Sequence, residues 1–338
     1  MLYANGAVSF DQLTDAQKLV IHQLLGEIEE FANVEFVEVN SASQANITFG
    51  MYYQDAGIGA YAYYPSASGS TGTKPGDVWL NSRYDTIPST SEDGGADWAR
   101  STISHELGHA LGLKHPGDYN AGGGGTAGPY LDAEVDNNQY TVMSYNDFPN
   151  SGYDPVDYML YDIATLQFIY GANTTYATGN DVYAFNTSSN LIDTIWDAGG
   201  YDTFTAAGAT KGVTIDLNQG AFSSIGLTDN IGIAYGVDIE AAIGGSGADR
   251  LIGNTLDNTF SGGGGADSFV FVDDWGADII LDFQNGLDTL DLAGSGFLFD
   301  DLSIGNGGSG AEIAAGSSTL LLSGIDVSQI DESDFVFV

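Results

Sequence analysis

Three consecutive nine-residue repeats near the C-terminus constrain the fold of this chain more than any other feature. They cover residues 244–252, 253–261 and 262–270. The first and third match the pattern G-G-x-G-x-D-x-U-x, where U is a large apolar residue, and the middle one is degenerate. In such a unit six residues form a turn and three form a short strand, so that two units complete one turn of a parallel β-roll. The apolar strand positions, which are predicted to point inward, are Leu251, Phe260 and Phe269.

The turns of these repeats are suited to calcium. Glycine permits the backbone angles of a tight turn, and calcium prefers carbonyl and carboxylate oxygens as ligands. Because alternate repeats stack on the same edge of the roll, the first and third predict one site. Its expected ligand residues are Gly245, Gly247, Asp249, Gly262, Gly264 and Asp267. The alternative, a flexible glycine-rich linker, does not account for an apolar residue at every ninth position.

A second motif, Ser-His-Glu-Leu-Gly-His-Ala-Leu-Gly-Leu-Lys-His-Pro-Gly, occupies residues 104–117. On a helix, His105 and His109 share one face, and Glu106 lies one step round from them. Gly112 can end the helix and return His115 toward the first two histidines. Three imidazoles with an open fourth position describe a catalytic zinc site, in which Glu106 would take a proton from a water. The alternative is an amphipathic helix with surface histidines; the fourth histidine, His22, is interpreted as structural or solvated.

The sequence Thr-Val-Met-Ser-Tyr-Asn at residues 141–146 follows this motif and resembles the Met-turn of metzincin proteases. Met143 would form an apolar floor beneath the zinc ligands. Tyr145 would reach the metal through its phenolate or stabilise the oxyanion. Considered alone, a Met and a Tyr two residues apart indicate only core packing.

These features together resemble the serralysin family of secreted zinc endopeptidases with a calcium-binding β-roll. The match rests on His-Pro-Gly-Asp-Tyr-Asn-Ala-Gly at residues 115–122, on Val-Met-Ser-Tyr, and on the repeats, and it covers nearly the whole chain in order. The resemblance implies that His105, His109 and His115 bind zinc, that Glu106 is the general base, and that Tyr145 is a switching ligand.

The resemblance also implies two calcium sites before the repeats. The first would use Ala177, Gly179, Asp181, Asp197, Gly199 and Asp202. The second would use Gly200, Asp202, Asp238 and Glu240, although Asp238 stands where a hydroxyl residue is more usual. With three repeats the roll is shorter than in many relatives, and the start of the catalytic domain looks foreshortened.

The fold class expected is an α+β metzincin-like domain over residues 1–173, followed by an all-β roll over 174–338. Apolar spacing and a capping box at Thr14 predict a helix to Phe31, and further helices are expected over 96–113 and 154–170. Strands are expected over 35–39, 46–50, 58–64 and 77–81. The last of these is interpreted either as an ordinary edge strand or as the strand that pairs with substrate through Val78, Trp79, Leu80 and Asn81.

The strongly acidic composition limits the classes of molecule that the chain can bind. The chain has 338 residues, no cysteine, and 46 acidic against 7 basic residues, for a formal net charge of −39. Nucleic acid and anionic membrane surfaces are therefore poor partners. Bound calcium or a saline habitat would each offset the self-repulsion. A monomer acting on protein or peptide substrates is expected.

The C-terminal residues Asp-Phe-Val-Phe-Val at 334–338 resemble the uncleaved signal of type I secretion, with a plain terminal strand as the alternative. No N-terminal signal peptide and no run of about 18 apolar residues is visible. Extracellular location, with the type I secretion machinery as a partner, is therefore expected.

Two other functions remain open at this point. One is a calcium-binding structural or adhesive roll that carries a catalytically silent metzincin-like domain. The other is a zinc hydrolase that acts on a non-protein substrate.

Overall fold

The computed structural model describes residues 10–41, 44–54, 57–65, 75–82, 98–120, 128–149, 151–188, 190–272 and 274–337. The chain divides into two compact units. The first contains Met1–Thr174 together with Leu191–Thr194, and the second contains Thr175–Asn190 together with Ile195–Val338. The short return of residues 191–194 to the first unit was not anticipated from the sequence.

The first helix, α1 (Asp15–Phe31), begins where the sequence predicts. Thr14 is its N-cap: the Thr14 hydroxyl accepts the Gln17 N–H at 3.2 Å, and the Gln17 side chain accepts the Thr14 N–H at 2.9 Å. This capping box satisfies two backbone donors of the first turn. The apolar face of α1 is buried through Val20, Ile21, Leu24, Ile28 and Phe31.

The sheet of the first unit has four described strands: β1 (Phe10–Asp11), β2 (Thr48–Tyr52), β3 (Ala60–Ala62) and β4 (Asp77–Asn81). Their order is β1-β2-β4-β3, with β4 parallel to β2 and antiparallel to β3. The interpretation of residues 78–81 as an edge strand is therefore wrong, because both sides of β4 are paired. The strand expected over residues 35–39 is also wrong, since that segment makes no strand pairing.

Two further helices complete the first unit. α2 (Trp98–Leu111) carries the histidine motif, and the first two residues of the helix predicted over 96–113 lie outside the described residues. α3 (Leu160–Tyr170) begins later than predicted. Arg100 ties α2 to α1, because its guanidinium donates to both carboxylate oxygens of Glu27 at 2.5 and 2.7 Å.

The second unit contains a roll of short parallel strands, as predicted, together with three antiparallel strand pairs. Its strands are β5 (Val182–Ala184), β6 (Asp193–Ile195), which begins in the first unit, β7 (Thr203–Thr205), β8 (Thr214–Asp216), β9 (Phe222–Ser223), β10 (Ile231–Ile233), β11 (Ala241–Ile243), β12 (Arg250–Ile252), β13 (Thr259–Ser261), β14 (Ser268–Val270), β15 (Ala277–Ile280), β16 (Thr289–Asp291), β17 (Ser303–Asn306), β18 (Gly310–Ala315), β19 (Ser318–Ser323) and β20 (Phe335–Val336). One sheet contains β5, β7, β11, β13 and β15 and continues into β19, β18 and β17, whereas the facing sheet has the order β20-β16-β14-β12-β8.

The centre of each roll strand points inward because side chains alternate along a strand. Leu251, Phe260 and Phe269 are each 0% exposed, which confirms the period of nine. β20 pairs in parallel with β16, so that the terminal segment is part of the roll. Among the described residues, no helix combines the length and apolarity needed to cross a membrane.

Candidate active site

The three histidines of the motif meet at one point in the first unit. His105 and His109 lie one turn apart on α2, and Gly112, with φ of 108°, turns the chain so that His115 returns to them. The Nε2 atom of His115 lies 3.1 Å from Nε2 of His105 and 3.1 Å from Nε2 of His109. Nitrogen ligands of a tetrahedral zinc lie about 3.3 Å apart for bonds of 2.0–2.1 Å, so the spacing fits this metal.

Backbone carbonyls fix the proton on the other nitrogen of each ring. The Nδ1–H groups of the three histidines donate to the carbonyl oxygens of Val142, Leu113 and Tyr119 at 2.8, 2.8 and 3.0 Å. A carbonyl only accepts, so each Nδ1 carries hydrogen and each Nε2 presents a lone pair. Three converging lone pairs repel one another unless a cation lies between them, and such partners orient metal ligands.

Burial keeps these imidazoles neutral. It lowers the pKa of His105 to about 3 and that of His109 to about 4, and it also lowers the pKa of His115. Metal ligation requires the neutral ring. The donor set, its tautomers and its protonation state therefore all fit zinc.

Glu106 is the carboxylate closest in sequence to this centre. Burial raises its pKa to about 8, against a backbone hydrogen bond from Ala62 that lowers it. One of its carboxylate oxygens, Oε2, is buried without a hydrogen-bond partner. A cation held by the histidines would offset this burial and favour the ionised carboxylate, which is suited to accept a proton from a water molecule beside it.

The Met-turn lies beneath the histidines. Met143 is 1% exposed, and a Cβ on Gly108 would lie 2.7 Å from the Met143 sulfur, so the helix contacts the floor directly. Tyr145 is 49% exposed, and its ring lies 4.5 Å from that of His115 and 5.7 Å from that of His105, between centroids. The phenol is thus next to the predicted zinc ligands.

Asp162 positions this turn, and sequence reasoning missed it. Its carboxylate accepts from the Thr141 hydroxyl at 2.6 Å and from the N–H groups of Val142 and Met159 at 2.8 and 3.0 Å. It thereby holds the carbonyl of Val142 in place for His105. No positional signal marked it, because the helix predicted over residues 154–170 has Asp162 in its interior, whereas the observed α3 has it in the first turn.

The exposed edge of the sheet is β3 rather than β4. Tyr63 N–H donates to the Asp77 carbonyl and Asn81 N–H to the Gly59 carbonyl, both at 3.0 Å. In an antiparallel ladder the residues between such pairs direct their backbone groups the other way. Ala60 and Ala62 therefore present backbone groups away from β4, and no described strand pairs with them there. Val78, Leu80 and Asn81 are each 0% exposed.

Comparison with known proteins agrees with the resemblance found in the sequence. The family model "Peptidase M10 serralysin C terminal" matches residues 160–334. Serralysin A of Dickeya chrysanthemi is 37% identical over 90% of this chain and 73% of its own length. Serralysin C of the same organism is 38% identical with the same coverage, and metalloprotease AprA of Pseudomonas entomophila is 38% identical over 76% of this chain.

The chain belongs to the serralysin family. The relatives it matches are named serralysins and metalloproteases. The aligned region spans 57% of the length of AprA, so this serralysin matches just over half of that relative.

The second unit of this serralysin contains one compact carboxylate cluster. Ligand atoms of Asp181, Asp197 and Asp202 lie within 4.8 Å of one another. Oδ2 of Asp202 is buried without a partner, and burial raises the pKa of Asp202 to about 6. A Cβ on Gly200 would lie 1.6 Å from the Gly179 carbonyl oxygen, so only glycine allows this approach. The three aspartates of the expected first calcium site are thus brought together, and their arrangement fits a cation.

The residues expected for the second calcium site do not form a compact carboxylate cluster like that of the first. The Asp202 N–H donates to the Glu240 carboxylate at 2.7 Å, whereas the Asp238 carboxylate accepts from the Gln219 amide at 3.4 Å. Within the described residues, neither Asp238 nor Glu240 joins the cluster of three aspartates.

The first and third repeats stack on one edge of the roll, as expected. Gly264 N–H donates to the Gly245 carbonyl at 3.0 Å, and Asp249 N–H donates to Oδ1 of Asp267 at 2.9 Å. Oδ2 of Asp267 is buried without a partner. Two residues missed by sequence reasoning extend this edge: Asp282 accepts the Gly262 N–H at 2.9 Å, and Asp288 accepts the Asp267 N–H at 3.0 Å. Asp288 directly precedes a strand, as Asp249 and Asp267 do, so the signal was present.

The degenerate repeat fills its turn with amides. Asn254 donates through Nδ2 to the carbonyls of Leu217 and Ile239 at 3.1 and 2.9 Å. Asn258 donates through Nδ2 to Oδ1 of Asn254 at 2.9 Å. Side-chain N–H groups therefore satisfy backbone carbonyls at this turn. In the degenerate repeat, amide N–H groups thus bind backbone carbonyl oxygens, whereas in the regular repeats calcium is expected to bind such oxygens.

Proposed function

We propose that this chain is a secreted, calcium-dependent zinc endopeptidase in which Glu106 is the general base. The observation that carries the proposal is the convergence of three Nε2 lone pairs, each fixed by a carbonyl on Nδ1, beside a buried carboxylate. His105, His109 and His115 would hold the metal. Zinc, when bound, polarises a substrate carbonyl and lowers the pKa of water.

The protein residues supply the proton transfers and the positioning. Glu106 accepts the proton of the attacking water and delivers it to the leaving amine. The Tyr145 hydroxyl donates to the negative charge that develops on the scissile carbonyl oxygen, and Tyr145 would join the three histidines in holding zinc between turnovers. The exposure of the Tyr145 ring allows this movement, and Met143 supports the site from below.

The substrate backbone pairs with β3 in this proposal. The Ala62 N–H on its outward edge donates to Glu106, so an extended peptide added along that edge would lie beside the general base and carry its scissile bond to the histidines. An edge that recognises main-chain groups favours protein and peptide substrates over other hydrolysable compounds. The exposed rings of Tyr64 and Tyr145 border the same position.

Calcium is assigned to the second unit. The Asp181, Asp197 and Asp202 cluster supports a first site with Ala177, Gly179 and Gly199. The stacked turns of the first and third repeats support another calcium site, formed by Gly245, Gly247, Asp249, Gly262, Gly264 and Asp267. A buried carboxylate oxygen without a partner at each place favours a bound cation whenever the carboxyl is ionised. The position of Gly200, Asp202, Asp238 and Glu240 remains a prediction from family resemblance, as does type I export of a monomer through its C-terminal strand.

The test compares casein hydrolysis by the wild-type chain and by Glu106→Gln, each with zinc content determined in the presence of calcium. Glu106→Gln is expected to retain zinc and lose about 10²-fold or more in kcat, because the general base is removed. Glu332→Gln, an exposed glutamate in the second unit, is the matched control and is expected to retain activity. A wild-type chain that binds zinc but does not cleave casein would identify the catalytically silent alternative.

A further inference from the structure

The ring of Tyr119 lies against the face of Tyr145. The two rings are nearly parallel, with centroids 4.9 Å apart and an interplanar angle of 24°. Tyr119 also lies 5.5 Å from the His115 ring. The half-exposed ring of Tyr145 thus lies among the histidine rings and Tyr119, so the placement of the second tyrosine can set its resting position.

The hydroxyl of Tyr119 is held by the segment that leads into the Met-turn. It donates to Oδ1 of Asp136 at 2.5 Å and lies 3.2 Å from the Ser144 hydroxyl, which donates to the same carboxylate oxygen at 2.7 Å. The N–H of Tyr145 itself donates to the Tyr119 hydroxyl at 3.4 Å. One phenol therefore contacts Tyr145 through both its ring and its oxygen.

Gly117 leaves room for this arrangement. A Cβ at Gly117 would lie 2.2 Å from Cε1 of Tyr119 and 2.7 Å from Oδ2 of Asp136. The Tyr119 main chain meanwhile accepts the Nδ1–H of His115 at 3.0 Å. A side-chain substitution at Tyr119 keeps that carbonyl, so its effect on Tyr145 can be separated from an effect on the zinc ligand.

We propose that Tyr119 is a positioning residue, whose ring and hydroxyl set the resting place of Tyr145 beside the three histidines and guide its return in each turnover. The inference rests on the proposed function, in which Tyr145 moves between zinc and the substrate oxygen. Asp136 and Ser144 act one step further out, because they fix the Tyr119 hydroxyl.

The kinetic test uses Tyr119→Phe, which keeps the ring, and Tyr119→Leu, which removes it. Tyr119→Leu is expected to lower kcat about 10- to 100-fold with little change in KM, as for residues that orient a reacting group. Tyr119→Phe is expected to have a smaller effect in the same direction. Tyr170→Phe is the matched control: it removes one hydroxyl bond, at 2.8 Å to the Leu111 carbonyl, without touching Tyr145, and kcat should stay near the wild-type value.

A double-mutant cycle separates positioning from a general structural effect. In a Tyr145→Phe background, adding Tyr119→Phe is expected to cost less than about twofold, because the hydroxyl being positioned is already absent. Equal losses in both backgrounds would overturn the inference. Full activity of Tyr145→Phe alone would instead refute the switching role of Tyr145, which is part of the proposed function.

A spectroscopic readout is independent of turnover. With copper(II) in place of zinc, a tyrosinate ligand gives a visible charge-transfer band, and Tyr145→Phe should abolish it. Tyr119→Leu is expected to weaken or shift this band while copper content stays equal to that of the wild type. An unchanged band in Tyr119→Leu would show that Tyr145 finds its place without Tyr119 and would contradict the proposal.

Discussion

Gly108 lies in the last turn of α2, between two predicted zinc ligands, and it contacts Met143 beneath the site. An added Cβ would meet the Met143 sulfur at 2.7 Å and Cδ1 of Leu113 at 3.2 Å. Both neighbours are buried, so neither can move without disturbing the loop that orients His105 or the chain that leads to His115. The glycine thus permits close packing of helix and Met-turn.

Substitution of Gly108 by alanine is therefore expected to reduce the free energy of unfolding by about 1–3 kcal/mol through overpacking. Gly26→Ala in α1 is the matched control, since a Cβ there meets nothing within 4 Å. Alanine should stabilise that helix by about 0.5–1 kcal/mol. Urea unfolding of both variants measures the difference, and equal effects of the two substitutions would contradict the packing argument.

At the level of elements, β3 is the strand on which the substrate proposal depends. Backbone groups of an edge strand alternate, so an added peptide is bound through every second residue. Peptide substrates with single N-methyl groups are expected to lose kcat/KM with a period of two: methylation costs about tenfold where an N–H donates to β3, and little at the intervening positions. A uniform loss along the peptide would exclude strand pairing.

In the roll, Asp278 of β15 makes the stability of the folded state depend on pH. Burial, with a contribution from Asp257, raises the pKa of this carboxyl from an ordinary value of 3.8 to about 8. Its Oδ1 accepts the Asn258 N–H at 2.8 Å, and its Oδ2 is buried without a partner. The folded state therefore binds a proton that the unfolded state releases, so stability without calcium falls as pH rises from about 4 to about 8.

Asp278→Asn should remove this part of the pH dependence, because the amide keeps the acceptor but cannot ionise. In the presence of a chelator, the variant is expected to have a higher Tm than the wild type at pH 8 and a similar Tm at pH 4. Asp300→Asn, at an exposed position, serves as the control. The measurement is Tm by thermal unfolding at pH values from 4 to 8. If Tm of Asp278→Asn varies with pH in parallel with that of the wild type, Asp278 does not titrate in this range.

On the scale of the whole molecule, 46 acidic residues against 7 basic ones make the compact state repel itself. Screening and specific binding relieve this repulsion in different ways. In chelator, raising NaCl from about 10 mM to 0.5 M should increase Tm, since the Debye length falls from about 30 Å to below 10 Å. Calcium at matched ionic strength should increase Tm much further, and magnesium less, because the turns offer many oxygens in a flexible arrangement. If the three salts raised Tm equally at matched ionic strength, charge screening would account for the effect and specific calcium binding would be refuted.

Much of the fold followed from local pattern. The capping box placed the start of α1, and the period of nine placed Leu251, Phe260 and Phe269 inside the roll. Both are short-range properties: a helix begins where its N–H groups are capped, and a three-residue strand buries its central residue. The strand expected at residues 35–39 failed because propensity without a pairing partner does not make a strand.

The sequence by itself determined that His105, His109 and His115 converge, because helical spacing and a glycine turn act within eleven residues. It also determined the period of the roll. Only the tertiary structure decided that β3, and not β4, is the edge strand, since strand order is set by pairing between distant segments. In the same way, the partners of the site, namely Val142 for His105, Asp162 for the Met-turn and Tyr119 for Tyr145, come from segments whose approach depends on burying apolar faces together, which no local spacing records.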